Sequence, residues 1–517
     1  MKNRMGQAGV KVWLALVLGG PAFLGVAQSP ANPPVVGFDQ IAYMAGARSN
    51  TLLRIGRVDC MAYALGANSE IKIKRISPIL RADEVSVAQA AFEPSLNAQA
   101  NLHDTTERSA SIVNSNLSLT RTTDFSVDLG GKLPTGTRYD LAFLADALKS
   151  GSYFQTINPV YSAEPMITLT QPLLRGAGIV VNRADIIIAR NNLIISRKAF
   201  KETTMAIISR TLEAYYGLFY ARAQYAIEVE ALDRSRQLLE INQKRYAKGL
   251  ISSVDLLETE TAVAERHKGV IAAEATMKNT EDTLKLVTNL VDDPVLWNAR
   301  VELIDEPELS IQHVDLVQSL ARAFEYRPDY QALKISLANR DIQIKVAQNA
   351  LLPTVDLIGS FGLNGLDDSF QNAIRSIGMD YKDWMVGVQL TVPWGGGERA
   401  KYDKSKWEKI QSLLEIKRLE QNIVFEVRNR VREVDIQFRQ TDASWLSSEM
   451  ETENYDAQQE RYAYGQVSTH DLLDYQNRLA ASRLDYVKAL IDYQIALIRL
   501  DQSEGVTLAK NNITLEN

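Results

Sequence analysis

Apolar and polar positions along this chain alternate with two periods, and each period returns in both halves. Over residues 384–392, Trp384, Val386, Val388, Leu390 and Val392 point one way while Met385, Gly387, Gln389 and Thr391 point the other. Val355, Leu357 and Phe361 alternate in the same manner with Asp356, Ile358 and Ser360, and Ile167 and Leu169 with Thr168 and Thr170. A period of two predicts strands, and alternation sustained over about ten residues is the pattern of a transmembrane barrel strand. A half-buried soluble sheet gives the same alternation. Residues 178–248 and 397–464 contain no proline and predict helices about 105 and 100 Å long. After the second of these, Ala480, Leu484, Val487, Ile491, Ile495 and Ile498 recur at steps of three and four, a single apolar stripe that predicts a bundle core. The small and polar residues on the other faces predict helices set side by side.

The two long helices end in one repeated stretch. RYAKGLISSVDLL at 245–257 and RYAYGQVSTHDLL at 461–473 agree at eight of thirteen positions, 216 residues apart. In each, a glycine (Gly249, Gly465) stops a helix and Ser252 or Ser468, with Asp255 or Asp471 three residues on, opens the next as a capping box. VAQAAFEPSL at 87–96 matches VAQNALLPTV at 346–355 at five of ten positions, and LTQP at 169–172 matches LTVP at 390–393. The order helix, strand pair, long helix, tip, shorter helix thus occurs twice, an internal tandem repeat.

The boundaries that follow are a leader over 1–27, a lead-in over 28–50, a first repeat over 51–291, a link over 292–309, a second repeat over 310–505 and a tail over 506–517. The first repeat holds a β-hairpin region over 95–171 and helices over 178–248 and 253–290; the second holds a hairpin over 354–392 and helices over 397–464 and 469–504. The link, with Pro294 and Pro307, predicts a small mixed collar outside the helices. The first hairpin region carries 38 more residues than the second. Within them Phe125, Val127 and Leu129 alternate with Asp124, Ser126 and Asp128, and a turn around Pro134 and Gly136 leads to Tyr139, Leu141 and Phe143.

Composition narrows the function. Of 517 residues, 46% are apolar and 23% charged, which excludes a disordered chain. Lys2, Arg4 and Lys11 precede an apolar run that ends in small residues at Gly25 and Ala27, the form of a secretory leader. Its removal takes the formal charge from -6 to -9, because it carries three positive charges and no negative ones, and an acidic chain is a poor nucleic-acid binder. No later run approaches eighteen apolar residues, so an exported chain of this sequence crosses a membrane only with strands. Cys60 is the one cysteine; it forms no intramolecular disulfide and reads as a small buried residue. His103, His267, His313 and His470 are scattered without metal-ligand spacing. Gly395, Gly396 and Gly397 lack the ending of a phosphate loop and read as a flexible joint. No cofactor is implied.

The repeated unit, with its FEPSL and LLPTV entries, TQPLLRGAG and TVPWGGGERA exits and paired RYA-x-G-x-x-S-x-x-DLL tips, resembles the TolC-like outer-membrane efflux family from about residue 51 to 504. The resemblance implies a mixed α and β membrane protein. In it a homotrimer closes a twelve-stranded transmembrane β-barrel in outer-membrane lipid, four strands from each protomer, continuous with a long periplasmic α-helical barrel. Four strands leave two open edges, which lipid does not tolerate, so closure by other copies follows. The implied function is the exit duct of a tripartite efflux pump or type I secretion system, working with a periplasmic adaptor and an inner-membrane transporter. A periplasmic adaptor or a structural coiled-coil envelope protein is the alternative. The extra hairpin is expected as an extracellular extension, since eighteen strands would make a mouth too wide for the helices.

The same resemblance implies roles for single residues. Asp471 and Asp474 match positions that form a carboxylate ring at the periplasmic entrance; the residues alone favour first-turn capping, and the resemblance favours the ring, while for Asp255 capping alone explains the residue equally well. Asp255, with Glu258 beside it, and Tyr462 match a network that holds the entrance closed, although Val467 stands where the family pattern has an arginine. Tyr246, Gly249, Leu250, Ser252, Gly465 and Ser468 match the adaptor-docking tips, where turn chemistry alone is the other reading.

Overall fold

The computed structural model of the chain describes residues 52–108, 117–150, 155–312 and 314–515; the expected leader over 1–27, the lead-in over 28–50 and His313 lie outside the described residues. The chain enters through β1 (Leu52–Ile55), α1 (Arg57–Ala67) and α2 (Ser69–Gln89). Strands β2 (Ser95–Arg108), β3 (Leu117–Lys132), β4 (Arg138–Ser150) and β5 (Val160–Pro172) follow. Helices α3 (Ala184–Ala247) and α4 (Ser253–Val287) make the first helical hairpin. β6 (Arg300–Leu303) leads to α5 (Leu316–Tyr326) and α6 (Pro328–Ala350). β7 (Thr354–Leu363), β8 (Gly365–Asp367) and β9 (Lys382–Thr391) precede the second hairpin, α7 (Gly397–Ala463) and α8 (Thr469–Glu504).

With 64 and 67 residues, α3 and α7 run about 96 and 100 Å at the helical rise. The helix expected from residue 178 does not begin there. A single turn, Ile179–Asn182, comes first, and Arg183 breaks away from helical angles before α3 starts. Gly178 sits at φ 96°, and the Asn182 side chain donates to the carbonyls of Gly176 and Gly178, so local capping turns the chain first. Near the strands the helices lie in the row α2, α3, α6, α7; toward the tips the row is α4, α3, α8, α7. Four helical columns therefore stand side by side at either level.

The main core lies between these levels. Met205, Ile208, Leu212, Tyr215 and Leu218 of α3 pack with Leu284, Val301, Ile55 and Ile491. The link lies on this core because β6 pairs in parallel with β1, Leu53 opposite Val301, and the Tyr215 hydroxyl donates to the Asp305 carbonyl at 3.2 Å and accepts from its N–H at 3.1 Å. Helix α8 buries two faces, not the expected single stripe. Ile491 and Ile498 face the α3 core, while Tyr493, Ala496, Leu497 and Leu500 pack on Val434 of α7, since α8 has a long helix on each side.

The strand count also differs from the expectation. One antiparallel sheet runs β2-β3-β4-β5-β7-β9, with β8 against β5. The extra hairpin is β3 and β4, and it lies inside this ladder: β3 pairs with β2 from Ser95 opposite Gly130 onward, and β4 with β5 from Arg138 opposite Thr170. Among the described residues the ladder holds six long strands, not the four expected. Nor is the hairpin's turn an extension away from the helices. Thr135 accepts the Gly178 N–H at 3.0 Å beside the start of the helical region, and a Cβ on Gly136, at φ 99°, would stand 2.4 Å from the Gly176 carbonyl oxygen. Alternation within a hairpin specifies its faces but not its neighbours, and the hydrogen-bonding capacity of both flanking strands draws it into the ladder. No helix among the described residues is long and apolar enough to cross a membrane.

Candidate functional site at the hairpin tips

The two tips have the same backbone. Leu250 N–H bonds the Arg245 carbonyl and Gly249 N–H that of Tyr246, and Gln466 and Gly465 repeat this with Arg461 and Tyr462. These are paired Schellman closures, with Gly249 at φ 72° and Gly465 at φ 73°. Ser252 then accepts the Asp255 N–H at 3.1 Å, and Asp255 takes the Ser252 hydroxyl and N–H in return. Those hydrogen bonds, the hydroxyl's foremost, hold the Asp255 carboxyl below the ordinary carboxylate range. Ser468 and Asp471 make the same hydroxyl exchange. Both aspartates are thus engaged as caps within their own tips.

Between the hairpins lies a buried polar chain. The Tyr462 hydroxyl donates to Asn242 Oδ1 and lies 3.1 Å from the Thr469 hydroxyl, and Asn242 donates to Thr259 Oγ1 at 2.9 Å. Asn242 and Thr259 are fully buried, and Tyr462 and Thr469 nearly so. Arg245 closes the top. Its guanidinium stacks 4.5 Å from the Tyr462 ring centroid and donates to the carbonyls of Tyr462 and Ala463, the exposed end of α7. Leu238, Tyr455, Leu472, Leu473 and Leu479 enclose this chain, with Val467 packed against them. Such a network in low dielectric binds one hairpin to the other in a single arrangement.

Tyr462 therefore reaches Asn242 and Thr469; Asp255 is one turn away, linked through its backbone carbonyl to Thr259. Glu258 makes a different bridge, its Oε1 lying 2.6 Å from His470 Nδ1. The Glu258 hydrogen bond and charge raise the His470 pKa above 6.5, and Asp471 and Asp474 add to the shift. Asp474 pairs with Arg478 at 2.7 Å. Tyr246 and Leu250 are exposed, as are Val254 and Leu257 beside them, so the first tip presents an apolar surface. Asn242, Arg245, Thr259 and Thr469 were not singled out from sequence. An asparagine three residues before the Arg-Tyr pair was the signal available. Among the described residues no group of His, Cys, Asp and Glu could hold a metal ion.

The family model described as outer membrane efflux protein matches residues 64–290 and 320–506. The chain is similar to nodulation protein T of Rhizobium leguminosarum bv. trifolii, 23% identical over 296 residues, 56% of this chain and 61% of that protein. It is also similar to the outer membrane protein TolC of Escherichia coli strain K12, 21% identical over 350 residues, 62% of this chain and 65% of that one. It thus spans less than two thirds of these relatives' length. In fold it is similar to the CmeC outer membrane channel of Campylobacter jejuni, with a TM-score of 0.64 at 15% identity over 93% of this chain and 90% of that one.

Proposed function

Because this chain belongs to the outer membrane efflux protein family, whose members are channels and not enzymes, we propose that it is the outer-membrane exit duct of an efflux or secretion machine. The observation that carries this is the junction of a sheet bearing one exposed apolar face with helices about 100 Å long. The sheet is suited to lipid and the helices to the periplasm. Three copies close the sheet edges and make a tunnel whose narrow end is the tips. A periplasmic adaptor docks on the exposed tip residues around Tyr246 and Leu250, with Gly249, Ser252, Gly465 and Ser468 holding that surface in shape, and an inner-membrane transporter supplies cargo and energy.

In this reading the chain from Thr259 to Thr469 through Asn242 and Tyr462 is the closed latch. Opening exchanges its buried hydrogen bonds for water. Asp471 and Asp474 gather as six carboxylates near the threefold axis and attract cations, with Arg478 offsetting part of that charge. The test is conductance in planar bilayers of wild type and an Asp471→Asn, Asp474→Asn variant, with divalent cations added. A cation-selective current that divalents block, and block less in the variant, is the expected result. Folded, bilayer-inserted protein without current overturns the duct; current with selectivity and block unchanged in the variant returns both aspartates to capping alone.

A further inference from the structure

The geometry points to a membrane barrel of eighteen strands, six from each of three copies, whose bore is as wide as the helical tunnel beneath it. This rests on the trimeric duct proposed above and deepens it by setting the width of cargo that can leave.

The phase of side chains across the sheet is the first support. Leu96, Leu129, Leu141, Ile167, Phe361 and Trp384 stand opposite one another in turn across β2, β3, β4, β5, β7 and β9. All six are exposed apolar side chains. The other face carries aligned polar residues on the inserted strands as elsewhere, with Leu144 and Leu148 among them on β4. Asn101 lies opposite Asp124, Asp124 opposite Asp146 and Asp146 opposite Ser162, while Asp140 lies opposite Thr168 and Thr168 opposite Ser360. A hairpin standing in water has no need of an apolar face, and no reason to keep it in phase with four lipid-facing strands.

The edges give the second support. β2 runs away from the helices and β9 toward them, so β9 of one copy against β2 of the next continues the antiparallel ladder without a break. Leu96 and Trp384 on these outer strands are 69% and 66% exposed, against 37% for Leu129 and 38% for Phe361 inside the sheet. The outermost strands lack a flanking neighbour, which a second copy supplies.

Width decides between closures. Strands about 4.8 Å apart and tilted about 40° each take about 6.3 Å of circumference, so eighteen make about 113 Å and twelve about 75 Å. Four helical columns per copy, twelve in all at about 9 Å spacing, make about 108 Å. Eighteen strands match that wall, which reverses the expectation of a mouth too wide for the helices, and at the same tilt twelve would make a wall narrower by about a third. The extra hairpin therefore widens the strand wall to the tunnel's own diameter, about 35 Å between backbones.

Disulfide trapping tests the seam. In a Cys60→Ser background, Val386→Cys on β9 is combined in turn with Leu96→Cys, Ala98→Cys, Ala100→Cys or Leu102→Cys on β2. Separately, Leu96→Cys on β2 is combined with Ile167→Cys or Leu169→Cys on β5, the neighbours that would meet if β3 and β4 stood outside the wall. Oxidation in outer-membrane vesicles is expected to link the β9 and β2 set into covalent trimers and to leave the β2 and β5 set unlinked. A link between β2 and β5 within one chain, or none in the β9 and β2 set while native mass spectrometry reports a trimer, overturns the eighteen-stranded barrel and leaves the duct standing. A native mass other than the trimer overturns both. Wild-type protein gives a second reading free of folding defects: neutral polymers added from the extracellular side should enter up to a size set by the wider bore. A cutoff about a third smaller in diameter, that of a twelve-stranded barrel, overturns the proposal.

Discussion

Tyr462 carries the most at the scale of single residues, because its hydroxyl joins Asn242 of one hairpin to Thr469 of the other inside an apolar shell. Tyr462→Phe leaves both partners buried and short of a hydrogen bond, at about 1–3 kcal/mol. Faster hydrogen exchange at 455–475 and a higher open probability in bilayers are the expected results; unchanged exchange would remove the latch role. His470 gives a pH dependence with a definite sign. Its folded pKa is raised, by Glu258 first, so the stabilisation by this pair is fully present below about pH 6.5, the unfolded value. It is lost as pH rises through the higher folded pKa. Titration of the His470 ring resonances by NMR should show a midpoint above 6.5 that falls on Glu258→Gln substitution. Sequence pointed to this region through its repeated aspartates, yet they are caps, and the residue facing Tyr462 comes from 220 positions away. Local spacing announces a cap; it holds no record of a partner on another hairpin.

Elements were legible where one backbone period governs them. The long helices, the serine caps and the glycine stops all follow from short-range hydrogen bonding, and the glycine of each tip occupies the left-handed region a Schellman closure requires. Gly505, at φ 76°, ends α8 under a tighter condition: an added Cβ would lie 2.8 Å from the Tyr326 carbonyl carbon and 2.9 Å from the Arg327 nitrogen. Gly505→Ala should cost at least about 1–3 kcal/mol and lower the thermal midpoint, whereas Gly66→Ala, where nothing lies within 4 Å of an added Cβ, should not. The second face of α8 was not legible, because its apolar residues sort into two stripes only when α3 and α7 flank it.

The whole molecule shows an unfinished surface. Among the described residues Leu96, Leu102, Trp384, Val386, Val388 and Leu390 of the outermost strands are exposed, surface that lipid and neighbouring copies would cover on the barrel reading. On the barrel reading, Leu141→Arg in the inserted hairpin should impair membrane assembly as much as Val388→Arg on β9, each costing about 2–4 kcal/mol near the bilayer midplane. Gln389→Arg on the polar face should leave assembly intact. The amount of folded protein in outer-membrane fractions distinguishes them, and a harmless Leu141→Arg would take β3 and β4 out of the membrane. Cys60 offers a control on folding: fully buried, with its thiol pushed up to about 12 by burial, it should resist maleimide until the chain is unfolded.

The sequence by itself determined the periods, the tips and the caps, because each depends on residues within a few turns of one another. Six strands in one ladder, the link folded onto β1, the two faces of α8 and the buried polar chain between the hairpins were decided only by the tertiary structure. Those features rest on which distant backbone or side chain supplies the other half of a hydrogen bond or an apolar contact. The alternation of β3 and β4 was plain in the chain, but whether they stood apart or joined the ladder depended on the edges β2 and β5 offered them.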